Sequence, residues 1–345
     1  MKFPEHGGNT YKFKVKLDFS ANINPLGMPE SVKKAAVEAI ESSNFYPDPD
    51  CTDLRRKLSI YERIPMENIV CGNGASDLIY RVIAALQPKN ALICAPTFSE
   101  YRKALIQNGC KVVEHKLSRD NYFSVTSEFA DKITPKTDMI ILCSPNNPNG
   151  EVITPYTMSI IIDKCIHTNT LLVCDESFMD LVVGGGKYTV KRMINSNIII
   201  IKAFTKTYAM AGLRLGYALF GDAEIALKVR NTGQFWSVSI PALAAGVAAA
   251  DEFAYVRISR KIIDRERRFL MEKLTEMGLM VYPSRANFLL FRCELPLDKL
   301  LLKKGILIRN CSNFSGIEKD HYRIAVRTHK ENIMLLEAIE RILHV

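Results

Sequence analysis

The feature that most constrains this chain is an unbroken run of four isoleucines at residues 198–201, followed closely by a lysine, Lys206. A short run without polar interruptions is typical of a strand buried on both faces of a parallel sheet. The segment after it is polar, and Lys206 is its only well-placed amine, with Arg214 eight residues further on. Most lysines in such a position simply extend their charge into water. A lysine at the end of a buried strand can also carry chemistry, so the segment leaves both interpretations open.

A second apolar run, at residues 171–174, ends on a carboxylate, Asp175. If both runs are neighbouring strands of one parallel sheet, their carboxyl ends bring Asp175 and Lys206 into the same crevice. A lysine can hold an aldehyde cofactor as a Schiff base. An aspartate beside it keeps a pyridine nitrogen protonated, so that the ring accepts electrons from a bond broken at the substrate α carbon. The two strands therefore indicate an enzyme that uses a pyridine aldehyde.

The composition is that of an ordinary globular protein, with 48% hydrophobic and 24% charged residues among 345. That length is enough for a large core and two structural lobes. No apolar run reaches the length of a membrane span, and the residues that follow Met1 lack the apolar core of a signal peptide. We therefore expect a cytoplasmic protein that does not associate with membranes.

The cysteines and the net charge argue against two further classes of protein. The nine cysteines include Cys94, Cys143 and Cys174 within apolar strands, and no two of them form a C-x-x-C pair. This pattern is typical of reduced core thiols and supports neither disulfides nor a metal site. The formal charge of +9 could serve a nucleic acid, but the basic residues are spread along the chain and aromatic residues do not alternate with them. An anionic substrate explains part of the charge equally well.

Six motifs occur in an order that resembles one enzyme family. They are, along the chain, Tyr46-Pro47-Asp48-Pro49, Gly72-Asn73-Gly74-Ala75-Ser76-Asp77, Ser144-Pro145-Asn146-Asn147-Pro148-Asn149-Gly150, Asp175-Glu176, Lys206 and Arg214. Each motif alone would be a weak signal. Together they resemble the fold-type I pyridoxal-phosphate enzymes of the aminotransferase class I/II group, over nearly the whole chain. Within that group the sequence is similar to histidinol-phosphate aminotransferases and to threonine-phosphate decarboxylases.

The resemblance implies an α/β fold in which a large domain has a mostly parallel central sheet and a smaller domain is α+β. We expect residues 1–40 to form an N-terminal arm and part of the small domain. Residues 41–245 would form the large domain that binds pyridoxal 5'-phosphate, and residues 246–345 the C-terminal small domain. The resemblance also implies a homodimer with shared active sites, because Tyr46 matches a tyrosine that reaches the cofactor phosphate of the neighbouring subunit. Without the resemblance, a packed loop tyrosine is the alternative.

A phosphate-binding site is predicted where a glycine turn leads into a helix. Backbone amides of Gly74, Ala75 and Ser76 would bind an anion there, together with the serine hydroxyl. The resemblance implies further cofactor contacts, namely Phe98 on the pyridine face, Asn147 at the ring oxygen, Thr205 and Arg214 at the phosphate, Asp175 at the ring nitrogen and Lys206 at the aldehyde. In isolation, Phe98 could equally be a core residue and Asn147 part of a simple Asn-Pro turn.

Two positions depart from the aminotransferase pattern. Phe178 stands where that pattern usually has a tyrosine, and a phenylalanine cannot donate a hydrogen bond to the ring oxygen of the cofactor. Ala203 stands where relatives commonly carry a serine that binds the cofactor phosphate. Thr205 and Arg214 remain for that phosphate, so we expect the cofactor to bind, but more weakly.

Substrate contacts are predicted near both ends of the chain. His6, followed by Gly7 and Gly8, offers an imidazole and two unhindered amides, which suit a phosphate oxygen. This start resembles that of threonine-phosphate decarboxylases, and the Phe-Ser-Ala-Asn run that contains Asn22 does so too. The alternative to a substrate-binding segment is a disordered leader. The remaining predicted substrate contacts are Asn147, Asn287, Arg323 and Arg327. Arg323 matches an arginine that binds a substrate carboxylate, and Arg327 is expected on the same strand face, where it would bind a second anion.

The reaction that the resemblance favours is decarboxylation of L-threonine O-3-phosphate to (R)-1-amino-2-propanol O-2-phosphate for cobalamin biosynthesis. The alternatives are a histidinol-phosphate aminotransferase, which would use the same catalytic residues, and a decarboxylase of L-serine O-phosphate, which lacks only a methyl group. One methylene is worth only about 1–3 kcal/mol in a pocket, so the sequence does not separate threonine phosphate from serine phosphate. A cofactor-binding protein without turnover is a further alternative, which the intact set Lys206, Asp175, Arg214 and Arg323 makes less favourable.

Overall fold

The computed structural model describes residues 6–13 and 15–344. Its strands are β1 (Leu17–Asp18), β2 (Ile69–Gly72), β3 (Asn90–Ala95), β4 (Lys111–Lys116), β5 (Met139–Cys143), β6 (Leu171–Asp175), β7 (Ile198–Ala203), β8 (Gly216–Phe220), β9 (Met280–Val281), β10 (Phe288–Arg292), β11 (Ile306–Leu307), β12 (Arg309–Asn310) and β13 (His321–Ala325). Its α-helices are α1 (Glu30–Glu38), α2 (Thr52–Glu62), α3 (Ala75–Leu86), α4 (Ser99–Gln107), α5 (Glu128–Asp131), α6 (Pro155–Thr168), α7 (Phe204–Thr207), α8 (Ala223–Thr232), α9 (Ile240–Ala249), α10 (Phe253–Glu276), α11 (Leu297–Lys303) and α12 (His329–Leu343).

Seven of the strands form one sheet in the order β2-β8-β7-β6-β5-β3-β4. The pairs from β7 through β6, β5 and β3 to β4 are parallel, whereas β8 runs antiparallel to both β7 and β2. Asp175 pairs with Ile201 in the register of β6 and β7, so these two strands end at the same edge of the sheet. The predicted mostly parallel central sheet is confirmed.

The isoleucine run of β7 shows why this sheet forms. Successive side chains of a strand point to opposite faces, and here Ile198 and Ile200 pack into one buried cluster while Ile199 and Ile201 pack into another. Every residue of β7 is buried, as expected for a strand that is covered on both faces by helices. The polar segment that contains Lys206 forms the short helix α7 directly after β7.

A second sheet, in the order β12-β13-β10-β9, is antiparallel throughout and comes from the C-terminal part of the chain. The N-terminal arm joins it through β1, which pairs in parallel with β11. Phe19 at the end of this arm lies in the same buried cluster as Leu289 of β10 and Leu335 of α12. We retain as a proposal the division of the chain into residues 1–40, 41–245 and 246–345.

Two observations concern the predicted class of protein. No helix in the described ranges is long and apolar enough to cross a membrane. All nine cysteines are buried and carry free thiols. Burial alone raises the pKa of the Cys94 thiol, which favours its neutral form.

Candidate active site

A cavity of about 530 Å³ lies at the carboxyl ends of the central strands, because Cys143, Asp175 and Ala203 are the last residues of β5, β6 and β7 and all three line it. This is the edge of an open parallel sheet at which ligands generally bind. The lining residues are His6, Gly7, Ser20, Ala21, Asn22, Ala75, Ser76, Ile79, Phe98, Glu100, Tyr101, Lys103, Cys143, Asn147, Asp175, Ser177, Phe178, Ala203, Thr205, Lys206, Arg214, Arg309, Phe314 and Arg323.

Lys206 enters the cavity from α7, directly beyond the end of β7. Desolvation inside the cavity, together with the positive charges of Arg323 and Arg214, lowers the pKa of Lys206 to about 8. A lysine with a lowered pKa is neutral in a useful fraction of molecules near neutral pH, and the neutral amine is the form that attacks a carbonyl carbon. The structure therefore gives Lys206 the environment of a reactive amine.

Asp175 is buried and faces the same cavity from the end of β6. Its Oδ2 accepts a hydrogen bond of 2.7 Å from the Tyr101 hydroxyl, and its Oδ1 accepts one of 2.9 Å from the backbone N–H of Ser177. Burial raises the pKa of Asp175, and these donors oppose that rise because they stabilise the ionised form. The structure thus holds a hydrogen-bonded carboxylate in the same cavity as Lys206, as the sequence predicts.

The N-terminus of α3 forms an anion-binding cradle with Arg214. Gly74 precedes the helix with φ 86° and ψ 165°, a conformation that residues with a side chain rarely adopt. A Cβ at Gly74 would lie 2.6 Å from Nη2 of Arg214, so the guanidinium packs directly against the first turn. Ala75 and Ser76 line the cavity beside it, and the twelve-residue helix directs its positive dipole end there.

The residues between this cradle and Asp175 provide aromatic and small surfaces. Phe98 lines the cavity and packs edge-on against Tyr101, with the ring centroids 5.6 Å apart. Thr205 and Ala203 also line it. Phe178 packs edge-on against Phe288 at 5.0 Å, which keeps an apolar ring where a tyrosine would place a hydroxyl. A flat aromatic ligand could therefore stack on an aromatic side chain and bind polar groups at its two ends.

Arg323 is buried at the side of the cavity that the C-terminal sheet supplies. Its guanidinium donates to Oδ1 of Asn147 and, at 2.8 Å, to the carbonyl oxygen of Ser20. Burial lowers the pKa of Arg323 to about 10. Asn147 keeps its Nδ2 as the amide atom that can still donate to a ligand.

Three side chains that line the cavity carry a buried polar atom without a hydrogen-bond partner in the part of the chain that the structure describes. These atoms are Nε of Arg323, Oδ1 of Asn22 and Oγ of Ser177. Buried polar groups are rarely left without a partner, so an orphaned donor and acceptor at a cavity wall indicate a polar ligand. A substrate carboxylate and amine would offer suitable partners.

The structure corrects the prediction for Arg327. β13 ends at Ala325, so Arg327 lies beyond the strand and is not among the residues that line the cavity. Its guanidinium instead forms an ion pair of 2.8 Å with Glu331 and donates to the carbonyl oxygen of Asp18. Arg309 on β12, paired with Arg323 across the ladder, lines the cavity in its place.

The N-terminal arm reaches the cavity, but only part of it is placed as predicted. His6 and Gly7 line the cavity. The amide of Gly8 is already donated to Oγ of Ser20 at 2.8 Å, so the prediction of two unhindered amides is wrong for Gly8. Gly7 packs so closely on the chain that a Cβ there would lie 2.0 Å from the carbonyl oxygen of Ser20. This contact requires glycine at position 7.

Two predicted residues lie away from the cavity of their own chain. Asn287 is fully buried outside its lining, and both polar atoms of its side chain lack a partner among the described residues. Tyr46 is 76% exposed and stacks on Trp236, with the ring centroids 4.3 Å apart. The roles assigned to Asn287 and Tyr46 stay predictions.

Among the polar residues of the site that sequence reasoning missed are Tyr101, Glu100 and Arg309. The first two lie on α4, which follows Phe98 directly, so their proximity to a predicted cofactor residue was a usable signal. Arg309 follows an apolar stretch at residues 306–308 and lies on a strand of only two residues, too short to show a pattern. Its proximity to Arg323 depends on the register of the C-terminal sheet.

Comparison with known proteins agrees with this geometry. The model of the family "Aminotransferase class I and II" matches residues 14–342. The chain belongs to this family. The threonine-phosphate decarboxylase of Salmonella typhimurium is 35% identical, over 98% of this chain and 96% of that protein. The adenosylcobalamin biosynthesis bifunctional protein CobDQ of Leptospira interrogans is 32% identical over all of this chain, which spans 42% of that protein.

A solved structure shows the same fold. The histidinol-phosphate aminotransferase from Clostridium acetobutylicum superimposes with a TM-score of 0.88 and is 31% identical, over 95% of this chain and 99% of that chain. Enzymes of the family depend in general on pyridoxal 5'-phosphate. The residues present fit that group, since the Arg214 guanidinium packs against the first turn of α3, and Ala75 and Ser76 line the cavity beside it. Asp175 and Lys206 lie in the same cavity as this cradle.

Proposed function

We propose that the protein is a pyridoxal-phosphate-dependent decarboxylase that converts L-threonine O-3-phosphate to (R)-1-amino-2-propanol O-2-phosphate in cobalamin biosynthesis. The observation that carries this proposal is the placement of His6 in the cavity that also contains Lys206, Arg309 and Arg323. A substrate with a carboxylate and a phosphate needs two separate cationic sites, and this cavity has them. The similarity to threonine-phosphate decarboxylase and to the adenosylcobalamin biosynthesis protein supports the choice of substrate and pathway.

The cofactor would be held at three points. Its phosphate would bind the α3 N-terminus at Ala75 and Ser76, with Thr205 and Arg214. Its ring nitrogen would face Asp175, and its aldehyde would react with Lys206. Bound in this way, the cofactor supplies an electron sink for the bond that breaks at the substrate α carbon.

The chain's own residues would select which bond breaks. The buried guanidinium of Arg323 orients the substrate carboxylate, and the bond that is aligned with the ring π system is the one cleaved. After carbon dioxide leaves, the α carbon needs a proton. Lys206 is the group that can supply it, because a pKa of about 8 leaves Nζ able both to hold and to release a proton near neutral pH.

A second candidate is a histidinol-phosphate aminotransferase, which the similarity to the structure from Clostridium acetobutylicum favours. The same Lys206, Asp175 and Arg323 would serve that reaction. A decarboxylase of L-serine O-phosphate is also compatible with the cavity, since its substrate differs by one methyl group. A protein without turnover is disfavoured because the complete set of reactive groups lines one cavity.

The proposal includes a homodimer in the cytoplasm. An exposed phenol, such as that of Tyr46 on a loop with two prolines, can reach a neighbouring subunit. Tyr46 would complete the phosphate site of that subunit, and the nine free thiols are suited to a reducing compartment.

The test is a product analysis of the holoenzyme with each candidate substrate. Threonine phosphate, serine phosphate, and histidinol phosphate with 2-oxoglutarate are supplied separately, and carbon dioxide and glutamate are measured. We expect carbon dioxide from threonine phosphate and no turnover by the Lys206→Ala variant. Glutamate from histidinol phosphate, without carbon dioxide from either phosphorylated amino acid, would overturn the proposal in favour of the aminotransferase.

A further inference from the structure

Glu100 is a carboxylate at the edge of a cavity whose other titratable acidic and basic residues, apart from Asp175, are mostly basic. It is the second residue of α4, its side chain is 13% exposed, and it lines the same cavity as His6. Its Oε1 lies 2.9 Å from Nε2 of His6, and its Oε2 accepts a hydrogen bond of 2.8 Å from the hydroxyl of Tyr80 on α3. Nζ of Lys103, one turn along α4, lies 3.7 Å from Oε2.

These contacts keep Glu100 charged. Burial opposes ionisation, but the hydrogen bonds from Tyr80 and His6 and the charge of Lys103 hold the pKa of Glu100 below its ordinary value. An uncompensated negative charge here would repel a phosphorylated substrate. Its presence in the cavity therefore needs a reason, and the contact with His6 supplies one.

The contact fixes both the arm and the imidazole ring. On one side, the arm is held by the close packing of Gly7 on Ser20 and by the bond from the Gly8 amide to Oγ of Ser20. On the other side, Glu100 holds His6 to α4. With Nε2–H donated to Glu100, Nδ1 is the ring atom left for a ligand, and Nδ1–H of a protonated His6 can donate to a phosphate oxygen.

We propose that Glu100 is a positioning residue that anchors His6 and the N-terminal arm over the cavity, so that the imidazole meets the phosphate group of the substrate. This inference rests on the proposed function for the identity of the substrate. It assigns to Glu100 a role that is exerted only through His6. Because the role depends on His6, removing the charge of Glu100 should change KM in opposite directions with and without His6. A general structural role would change KM in the same direction in both backgrounds.

A double-mutant cycle tests the dependence. In the holoenzyme, we expect Glu100→Gln to raise the KM for threonine phosphate on the order of tenfold, the usual scale for losing one charge-assisted contact, with kcat little changed. In a His6→Ala background the carboxylate keeps its contacts with Tyr80 and Lys103 but has no imidazole to hold, so its remaining effect on the substrate phosphate is repulsion. There, Glu100→Gln should lower the KM rather than raise it. A second, additive increase of KM in that background would overturn the inference.

Hydrogen exchange supplies a readout that does not depend on turnover. Amides of residues 6–13 should exchange faster in the Glu100→Gln holoenzyme than in the wild type, because the arm has lost one of its two anchors. Glu114→Gln is the matched control, since Glu114 bonds to Ser315 and Arg102 outside the cavity, and it should change neither the exchange of the arm nor the KM.

The two readouts separate the two proposals. If the wild type turns over no phosphorylated amino acid but Glu100→Gln still loosens the arm, the proposed function fails and the anchoring role stands. If the wild type decarboxylates threonine phosphate while Glu100→Gln leaves both KM and arm exchange unchanged, the inference about Glu100 fails and the proposed function stands.

Discussion

The hydrogen bond from Tyr101 to Asp175 allows the role of that carboxylate to be tested without removing it. Tyr101 is fully buried, and its hydroxyl is 2.7 Å from Oδ2 of Asp175. Burial raises the pKa of the Tyr101 hydroxyl well above its ordinary value, so it remains a hydrogen-bond donor at any usable pH. Tyr101→Phe deletes this donor and keeps the aromatic ring that packs against Phe98.

The size of the effect follows from what the hydrogen bond stabilises. A hydrogen bond to a charged group contributes about 1.5–3 kcal/mol, which corresponds to roughly a ten- to hundredfold change in an equilibrium. Asp175 must be ionised to keep a pyridine nitrogen protonated. Burial already raises the pKa of Asp175, and loss of the Tyr101 donor raises it further. As the pH falls, Asp175 therefore becomes protonated at a higher pH in the variant than in the wild type. We expect the deficit in kcat/KM of the variant to grow as the pH falls.

The assay is the pH profile of kcat/KM for threonine phosphate in wild type and Tyr101→Phe. We expect the acid limb of the variant to lie at higher pH and its activity to approach that of the wild type as the pH rises. Tyr282→Phe is the control, because it removes another buried hydroxyl, bonded to His321 at 2.8 Å, from outside the cavity lining. A Tyr101→Phe deficit that is equal at every pH, or no deficit at all, would refute this reasoning.

Three further predictions concern the cofactor, the second anion site and the dimer. Gly74→Ala should weaken cofactor binding, which visible absorbance measures. The substitution adds a Cβ 2.6 Å from Nη2 of Arg214, and the backbone conformation at this position costs a residue with a side chain about 1–3 kcal/mol. Gly186→Ala is the control and should not weaken binding, because the space around Gly186 is open. Arg309→Met should raise the KM for threonine phosphate by about ten- to hundredfold, the scale of a charge-assisted contact, whereas Arg327→Met should lower thermal stability and leave KM unchanged. Lys206→Ala and Tyr46→Phe chains, each inactive alone, should recover some activity when they are mixed and exchange subunits. No recovery after subunit exchange would contradict shared sites.

The central part of the site was predictable because it depends on short-range sequence. The positions of Asp175 and Lys206 follow from apolar strands whose ends are marked in the sequence, and parallel pairing then brings the ends together. The glycine turn at Gly74, between a strand and a helix, is likewise a local pattern, but the Gly74 amide that was assigned to the anion is donated to the carbonyl oxygen of Gly72. The sequence thus marks where each residue lies within its own element, whereas the proximity of Asp175 and Lys206 depends on the pairing of β6 with β7.

The errors concern Arg327 and Gly8, whose hydrogen-bond partners differ from those expected. Arg327 was assigned to the strand face of Arg323 by extending an alternating pattern, but Thr328 caps α12 in a capping box with Glu331, and the same glutamate binds Arg327. The amide of Gly8 was expected to be unhindered, yet Ser20 accepts its hydrogen bond from twelve residues away. The Thr328-x-x-Glu331 capping box was a usable signal in the sequence, whereas the contact between Gly8 and Ser20 has none.

The most direct test of the central claim is the mass of the product formed from threonine phosphate in heavy water. Decarboxylation followed by proton transfer to the α carbon places one solvent-derived deuteron at that carbon for each carbon dioxide released. We predict a phosphorylated amino alcohol with a single carbon-bound deuteron and an equal amount of carbon dioxide. A phosphorylated keto acid that retains its carboxyl group, formed together with aminated cofactor, would contradict the account.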